Sequence, residues 1–315
     1  MALPRGVVIH PDELGDQWFS RLCGSAIKTV GLHPVGGKKA NESLEALFQA
    51  VKRGECDTKF EKLKQMGIAL EYEVHAMSWL LPRELFATHP DWFRENEAGE
   101  RVADFNLCVS APGALTYVAD RAAELAQVLR PTTHRYHLWI DDVRNSFCHC
   151  EKCRNLTPSD QALTVYNALL KGIRRVDPLA TQCYLAYQNT EATPVSVKPD
   201  EGIFLEYAPF DRDFHTPLSD KSSEKNQRET APVPELLRFF GKENAKVLEY
   251  WLDNSLFSKW KKPPQAFVLD LPVLREDLLF YEKLGFSDVT VFACYLGEDY
   301  QALYGEPEID AYLKD

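Results

Sequence analysis

The residues best suited to chemistry fall in one short stretch, "HLWIDDVRNSFCHCEKC", residues 137–153. An apolar run leads into two adjacent carboxylates, Asp141 and Asp142, and Cys148, Cys150 and Cys153 follow closely. Cys-x-Cys-x-x-Cys is compact enough for its three thiolates to wrap one ion, with a fourth ligand from elsewhere. Cys108, in "ADFNLCVSAPG", lies in the loop after the third expected strand and is within reach of the loop after the fourth. Four thiolates make a closed tetrahedral site, the structural form of zinc, with no position open to substrate or water. His149 is a rival fourth ligand, although between two ligating cysteines it would more easily point outward. Free or disulfide-linked cysteines are the alternative. On the zinc reading the metal fastens the loop and the acids work without it. Cys23, Cys56, Cys183 and Cys294 sit singly and read as reduced, mostly buried thiols of a cytoplasmic protein.

Paired carboxylates suit glycoside cleavage, in which one carboxyl gives a proton to the leaving oxygen and another stays charged. Neighbours on a strand point to opposite sides, so Asp141 and Asp142 face the same substrate only where the backbone turns beyond the strand end. A helix-capping Asp beside a solvated one is the structural alternative. Across the expected barrel, Glu249 is the partner, with Asp253 next; Val247, Glu249, Trp251 and Asp253 share one face of "VLEYWLD". A lone buried Glu there would be costly without a role. Glu206 could take that part instead.

These groups need a scaffold, and the chain repeats a short β-branched or aromatic run followed by an amphipathic stretch. Strands are expected at 6–10, 29–33, 68–75, 136–142, 182–188, 202–208, 246–253 and 289–296. Helical patterns separate most of them, and only the fifth-to-sixth connection lacks an obvious long helix. Eight such units count to an α/β fold of the (β/α)8 TIM-barrel type, a single domain over residues 1–315. The strands end in His10, His33, His75 and Asp141-Asp142, and the later ones carry Glu206, Glu249, Asp253, Tyr295 and Glu298. A barrel is apolar midway, so titratable groups at successive C-terminal ends line one mouth. Trp79, Trp139, Tyr187, Tyr207, Trp251 and Tyr295 are available as platforms for a sugar ring, or as plain core. Arg212 and His215 follow the sixth strand and either pair with a substrate carboxylate or form salt bridges within their loop.

The formal charge of −11 argues against a nucleic-acid or anionic-membrane partner, which would call for clustered Lys and Arg. "GKKA" and "SKWKKPP" are too short to reverse that and read as solvated surface lysines. No run approaches the length of a membrane span, and no signal peptide is seen at the N-terminus. A homo-oligomer is left open.

The Cys of "NLCVSAPGAL", the acidic strand end and "CHCEKC" together resemble the family-42 β-galactosidases and their relatives. Those are retaining glycosidases of barrel fold in which four cysteines hold a structural zinc. An Asn-Glu pair stands there where this chain has Asp141-Asp142, and its Glu is the acid/base. The resemblance therefore implies Asp142 in the acid/base place and Asp141 in that of the Asn. An Asp before the acid is also similar to the family-20 hexosaminidases, where it steadies a substrate acetamide acting as nucleophile. A second resemblance runs from about residue 60 to 295 through "LPRELFATHPDWFRENEAGERVADFNLCVSAPGAL", "CHCEKC…SDQALTVYNALL" and "FDRDFHTPLSDKSSEKN". These look like the bacterial domain of unknown function numbered 4838, a glycosidase-like family, which implies a barrel and a carbohydrate substrate.

The leading expectation is thus a glycoside hydrolase, with Asp142 as acid/base, Asp141 beside it and Glu249 as nucleophile or second carboxylate. His10, His33, His75, Trp79, Glu206, Arg212, His215, Trp251 and Tyr295 are expected around the substrate. A divalent-metal isomerase or phosphodiesterase with His10, His33, His75 and Glu206 as ligands is the second reading. A carbohydrate-binding barrel without catalysis is the third.

Overall fold

A computed structural model describes residues 3–141 and 143–314. Eight parallel strands close into a barrel in sequence order: β1 Arg5–Ile9, β2 Ile27–Leu32, β3 Ala69–His75, β4 Arg135–Trp139, β5 Thr181–Ala186, β6 Ile203–Tyr207, β7 Lys246–Glu249 and β8 Asp288–Phe292. Each lies within or beside its expected segment, and the fold class is the (β/α)8 barrel. The seventh is the shortest, so Trp251 and Asp253 fall beyond its end. Helices α1 Asp16–Leu22, α2 Ala40–Lys52, α3 Asp57–Gln65, α4 Met77–Leu80, α5 Pro112–Val128 and α6 Pro158–Ile173 follow the first four strands. Then come α7 Glu224–Thr230, α8 Val233–Phe240, α9 Asn254–Phe257, α10 Leu271–Leu284, α11 Glu298–Tyr304 and α12 Asp310–Leu313. Between β5 and β6 the described residues form only a short 3-10 turn, as the missing helical pattern implies.

Local chemistry explains where the helices start and stop. Thr157 accepts from the Asp160 backbone and Asp160 reaches back to Thr157, a capping box with Pro158 at the first helical position of α6. Asp270 caps α10 at its start, and Gly285 ends it at φ 90°, a conformation that costs a residue with a Cβ. Gly172 lets α6 approach α5 closely, since a Cβ there would sit 2.0 Å from the Ala119 carbonyl oxygen.

By compactness the chain divides into two units, Met1–His33 with Cys56–Glu71 and Glu206–Asp315, and Pro34–Glu55 with Tyr72–Leu205. In the first, Val7, Ile9, Val30, Leu248 and Val291 are buried core. Against the expectation of an apolar interior, this unit also buries Lys246, whose ammonium lies 3.2 Å from Glu206 and 3.5 Å from Glu71. In the second, Val74, Leu138, Leu163, Tyr166 and Leu169 are buried. Each such side chain contributes about 1.5–3 kcal/mol through the water it leaves.

Candidate active site at the strand ends

In the unit that carries β4, Asp141 is held from two directions. Asn106 clasps its backbone, with Asp141 N–H donating to Oδ1 and Nδ2 donating to the Asp141 carbonyl, both at 2.9 Å. The same Nδ2 reaches Ser146 Oγ at 3.0 Å. Arg83 Nη2 donates to Asp141 Oδ2 at 2.9 Å, in an ion pair whose carboxylate side is 17% exposed. Asp141 borders a small cleft with Phe147, Tyr187 and Asn189, so the ends of the fourth and fifth strands meet there. His75 is paired in register with Trp139, and their rings meet edge-on at 5.2 Å. Asp142 lies outside the described residues.

Immediately beyond, the four expected sulfurs converge. Cys108, Cys148, Cys150 and Cys153 are buried and close enough to hold one metal ion. Cys108 Sγ is 3.7 Å from Cys150 Sγ and 3.8 Å from Cys153 Sγ. Those separations are far longer than a disulfide, and four sulfurs placed about 2.3 Å from one ion lie about 3.8 Å apart. The donor set therefore fits a tetrahedral thiophilic cation. Hydrogen bonds from Cys148 and Cys153 pull the Cys108 thiol down, and the contact with Cys108 pushes Cys148 up to about 11. A cation would remove that competition for protons by holding every sulfur as thiolate. The loop is fixed from outside by Gln161, which accepts from Cys148 N–H and donates to its carbonyl, each at 3.0 Å. His149 gives its backbone N–H to Glu95, and its side chain is not among the converging groups.

In the other unit, the structure brings three expected residues together. The His10 and His33 rings are stacked at 5.9 Å, and Tyr295 lies 5.9 Å from His10. His10 Nδ1 is 2.7 Å from the His33 carbonyl, which can only accept, so Nδ1 carries the proton. Burial lowers the His10 pKa below its ordinary value, which disfavours the charged ring. Phe292 meets His33 edge-on at 5.0 Å and stacks with Tyr250 at 5.4 Å, giving the rim an aromatic floor. Sequence reasoning missed Glu13 here. It takes the His10 and Gly297 backbone N–H groups, each at 3.3 Å, and is 8% exposed. Burial, with Asp12 nearby, pushes its carboxyl up to about 8. The signal was present in "HPDEL", where an acid stands three residues after the strand-end histidine. Asp253 caps α9 through Ser255 and Leu256, and burial raises its carboxyl to about 6.

Six expected residues are placed elsewhere, for reasons of packing. Glu249 shares a face with Val247 and Trp251, but that face turns toward α10. Its carboxylate is 0% exposed and meets Arg212 Nη1 and the Tyr281 hydroxyl, each at 2.6 Å. Arg212 is equally buried, with its other arm 2.6 Å from Asp277, to which Trp251 Nε1 also donates at 3.0 Å. Burial pushes both carboxyls up while the shared guanidinium pulls them down. Glu249, Arg212 and Trp251 thus form a strand-to-helix brace rather than part of the mouth. Glu206 is fully buried against Lys246, a poor setting for a sugar contact. Trp79 lies under the helices, donating to Glu45 at 2.6 Å with Arg121 3.7 Å above its ring. His215 remains on the surface, 3.7 Å from Asp270.

The family described as "Domain of unknown function (DUF4838)" matches residues 40–232. Among solved structures, the chain is similar to the cold-adapted β-galactosidase from Rahnella sp. R3, at 12% identity and a TM-score of 0.52. The match covers 92% of this chain and 50% of that one, so this chain spans about half the length of that enzyme. It is also similar to endo-glycoceramidase II from Rhodococcus sp., at 11% identity and TM-score 0.52, over 93% of this chain and 73% of that one. Comparison with curated proteins gives no significant match. No described helix is long and apolar enough to cross a membrane.

Proposed function

The chain belongs to the DUF4838 family, and we propose that it is a glycoside hydrolase. The observation that carries this reading is the strand-four acid Asp141, part-exposed at a strand end, clasped through both backbone groups by Asn106 and ion-paired with Arg83. Such a carboxylate is positioned before any substrate arrives, as acid-base or electrostatic catalysis requires. The glycosidase-like barrel supports it at the level of fold. In this reading Asp142 donates the proton to the leaving oxygen, and Asp141 orients or stabilises the reacting sugar. Glu249 does not supply the second carboxyl in this reading, since it is committed to Arg212.

Zinc is the proposed occupant of the four-sulfur site. Cys108, Cys148, Cys150 and Cys153 would hold it, and it would supply rigidity to the loops beside Asp141 rather than chemistry.

The test is a screen of aryl glycosides with wild type and Asp142→Asn. Removing an acid-base group is expected to slow turnover by about 10²–10⁴-fold with the fold intact. A mutant that keeps full activity on a cleaved glycoside would remove Asp142 from the role.

A further inference from the structure

The sequence "SKWKKPP" in the loop between α9 and α10 reads at first as solvated lysines. The structure gives it a definite shape. Lys259 and Trp260 both adopt left-handed backbone, at φ 55° and 54°. L residues with a Cβ avoid that region, so the surroundings must hold two of them in succession there. They do so with Lys259 N–H on Leu256 O at 2.9 Å, Trp260 N–H on Ser255 O at 2.7 Å and Lys261 N–H on Ser258 O at 3.1 Å. Farther along, Ser258 Oγ accepts from Gln265 N–H at 2.9 Å, and Asn254 Nδ2 donates to Gln265 O at 3.0 Å. Lys262 is tied to Asp299 at 2.6 Å, and Tyr304 donates to Pro264 O at 3.2 Å.

This well-pinned loop presents an indole to water. Trp260 is 62% exposed, the reverse of what burial of a large aromatic would favour. Lys259 and Lys261 flank it, both exposed, and neither has an ion-pair partner among the described residues. In a chain of formal charge −11, two uncompensated ammonium groups beside a fixed aromatic face are a local exception. The loop follows β7, at the C-terminal ends of the strands, where barrels of this class place their ligand contacts.

We infer that Trp260, Lys259 and Lys261 form a binding platform for an acidic glycan, the indole carrying a sugar ring face and the ammonium groups meeting its anionic substituents. A pyranose offers a row of C–H groups on one face that an indole can cover. Its carboxylate or sulfate supplies the negative counter-charge that the lysines lack. This assignment rests on the glycosidase reading for the class of ligand, and it narrows that class from sugars in general to charged ones.

Affinity electrophoresis of the full chain tests it, with polygalacturonate, dextran sulfate, neutral dextran and polyglutamate in the gel. Retention by polygalacturonate or dextran sulfate, but not by dextran or polyglutamate, is expected, and which of the two retains it identifies the anionic group. Trp260→Ala and the double variant Lys259→Glu/Lys261→Glu should each weaken retention by at least about ten-fold, as loss of an exposed anchor does. Both change only exposed side chains, and an unaltered thermal transition confirms the fold. Equal retention by dextran or polyglutamate, unaffected variants, or no retention by either acidic glycan overturns the platform. The assay needs no turnover. Binding without cleavage of any glycoside would sink the hydrolase reading alone; cleavage indifferent to Trp260 would sink the platform alone.

Discussion

At the scale of single residues, burial decides which acids are free for chemistry. Glu249 and Asp277 share one guanidinium, so the cluster holds two acids and one base out of water. Arg212→Met would leave both carboxyls facing each other without compensation, at an expected loss of about 3–5 kcal/mol. Glu249→Gln keeps an oxygen for Arg212 and removes one charge, so its loss should be nearer about 1–3 kcal/mol. Urea unfolding of both variants checks that order. An Arg212→Met protein less affected than Glu249→Gln would show that the brace does not carry the site's charge. Turnover in Glu249→Gln should stay within a small factor of wild type, which a nucleophile could not do. Glu13 makes the opposite case, an acid kept protonated. Its folded pKa of about 8 lies above the ordinary value of 4.5. Between those limits the folded carboxyl holds a proton that the unfolded one has released. Its stabilising share is therefore fully present below pH 4.5 and is lost as pH rises through about 8. Glu13→Gln should flatten this decline, so that urea midpoints at pH 5 and pH 9 differ less than in wild type. An unchanged difference would mean that Glu13 is not the group responsible.

At the scale of elements, two carboxamides do the same job, one in the loop before α5 and the other in the first turns of α6. Asn106 clasps Asp141 and Gln161 clasps Cys148, each by one donated and one accepted backbone bond. The loops they fasten bear Cys108 and the other three sulfurs, so a cation bound there would hold the same backbone as the two carboxamides. Treatment with a strong chelator at neutral pH should release one equivalent of zinc and expose four reactive thiols. A metal present at a thousand times its dissociation constant adds about 4 kcal/mol, so the thermal transition should fall on its removal. Four thiols reacting at full rate, with no metal recovered, would dismiss the cation. Much of this level was legible beforehand. Runs such as "GVVIH" and "VTVFACYL" mark strands by branched and aromatic residues, and "CHCEKC" marks the sulfur site by residue type alone. What spacing could not give was the direction of each face. In β7 and just beyond, one face bears Val247, Glu249 and Trp251, and the other Lys246, Leu248 and Tyr250. Both mix charge with apolar bulk, so period-two alternation cannot say which looks inward. The answer came from partners far along the chain, Arg212, Asp277 and Tyr281, whose own burial has no local signature.

At the scale of the whole molecule, a closed barrel depends on the seam where the last strand meets the first. β1 lies between β2 and β8, with Val7 opposite both Val30 and Val291. Gly6 is needed at that seam, because a Cβ would stand 2.7 Å from Thr290 and 2.9 Å from the Thr29 carbonyl. The short helix α12 then fastens it. Tyr312 donates to the Gly6 carbonyl at 2.8 Å, with the Val289 carbonyl at 3.4 Å. Arg5 Nη1 in turn donates to the Tyr312 carbonyl at 3.0 Å, and the Ala26 N–H donates to the Leu313 carbonyl at 2.7 Å. Residues from β1, β8 and the start of β2 are thereby tied to one phenol and its neighbours. Two substitutions separate the contributions. Tyr312→Phe removes only the hydroxyl and should cost about 0.5–1.5 kcal/mol. Tyr312→Ala also empties a fully buried ring site and should cost about 3–5 kcal/mol. If the seam limits barrel opening, the alanine variant should also lose hydrogen-exchange protection in β1 and β8 before the strands away from the seam. Uniform loss across all strands would assign Tyr312 to general packing, and an alanine variant as stable as wild type would remove it from the seam altogether.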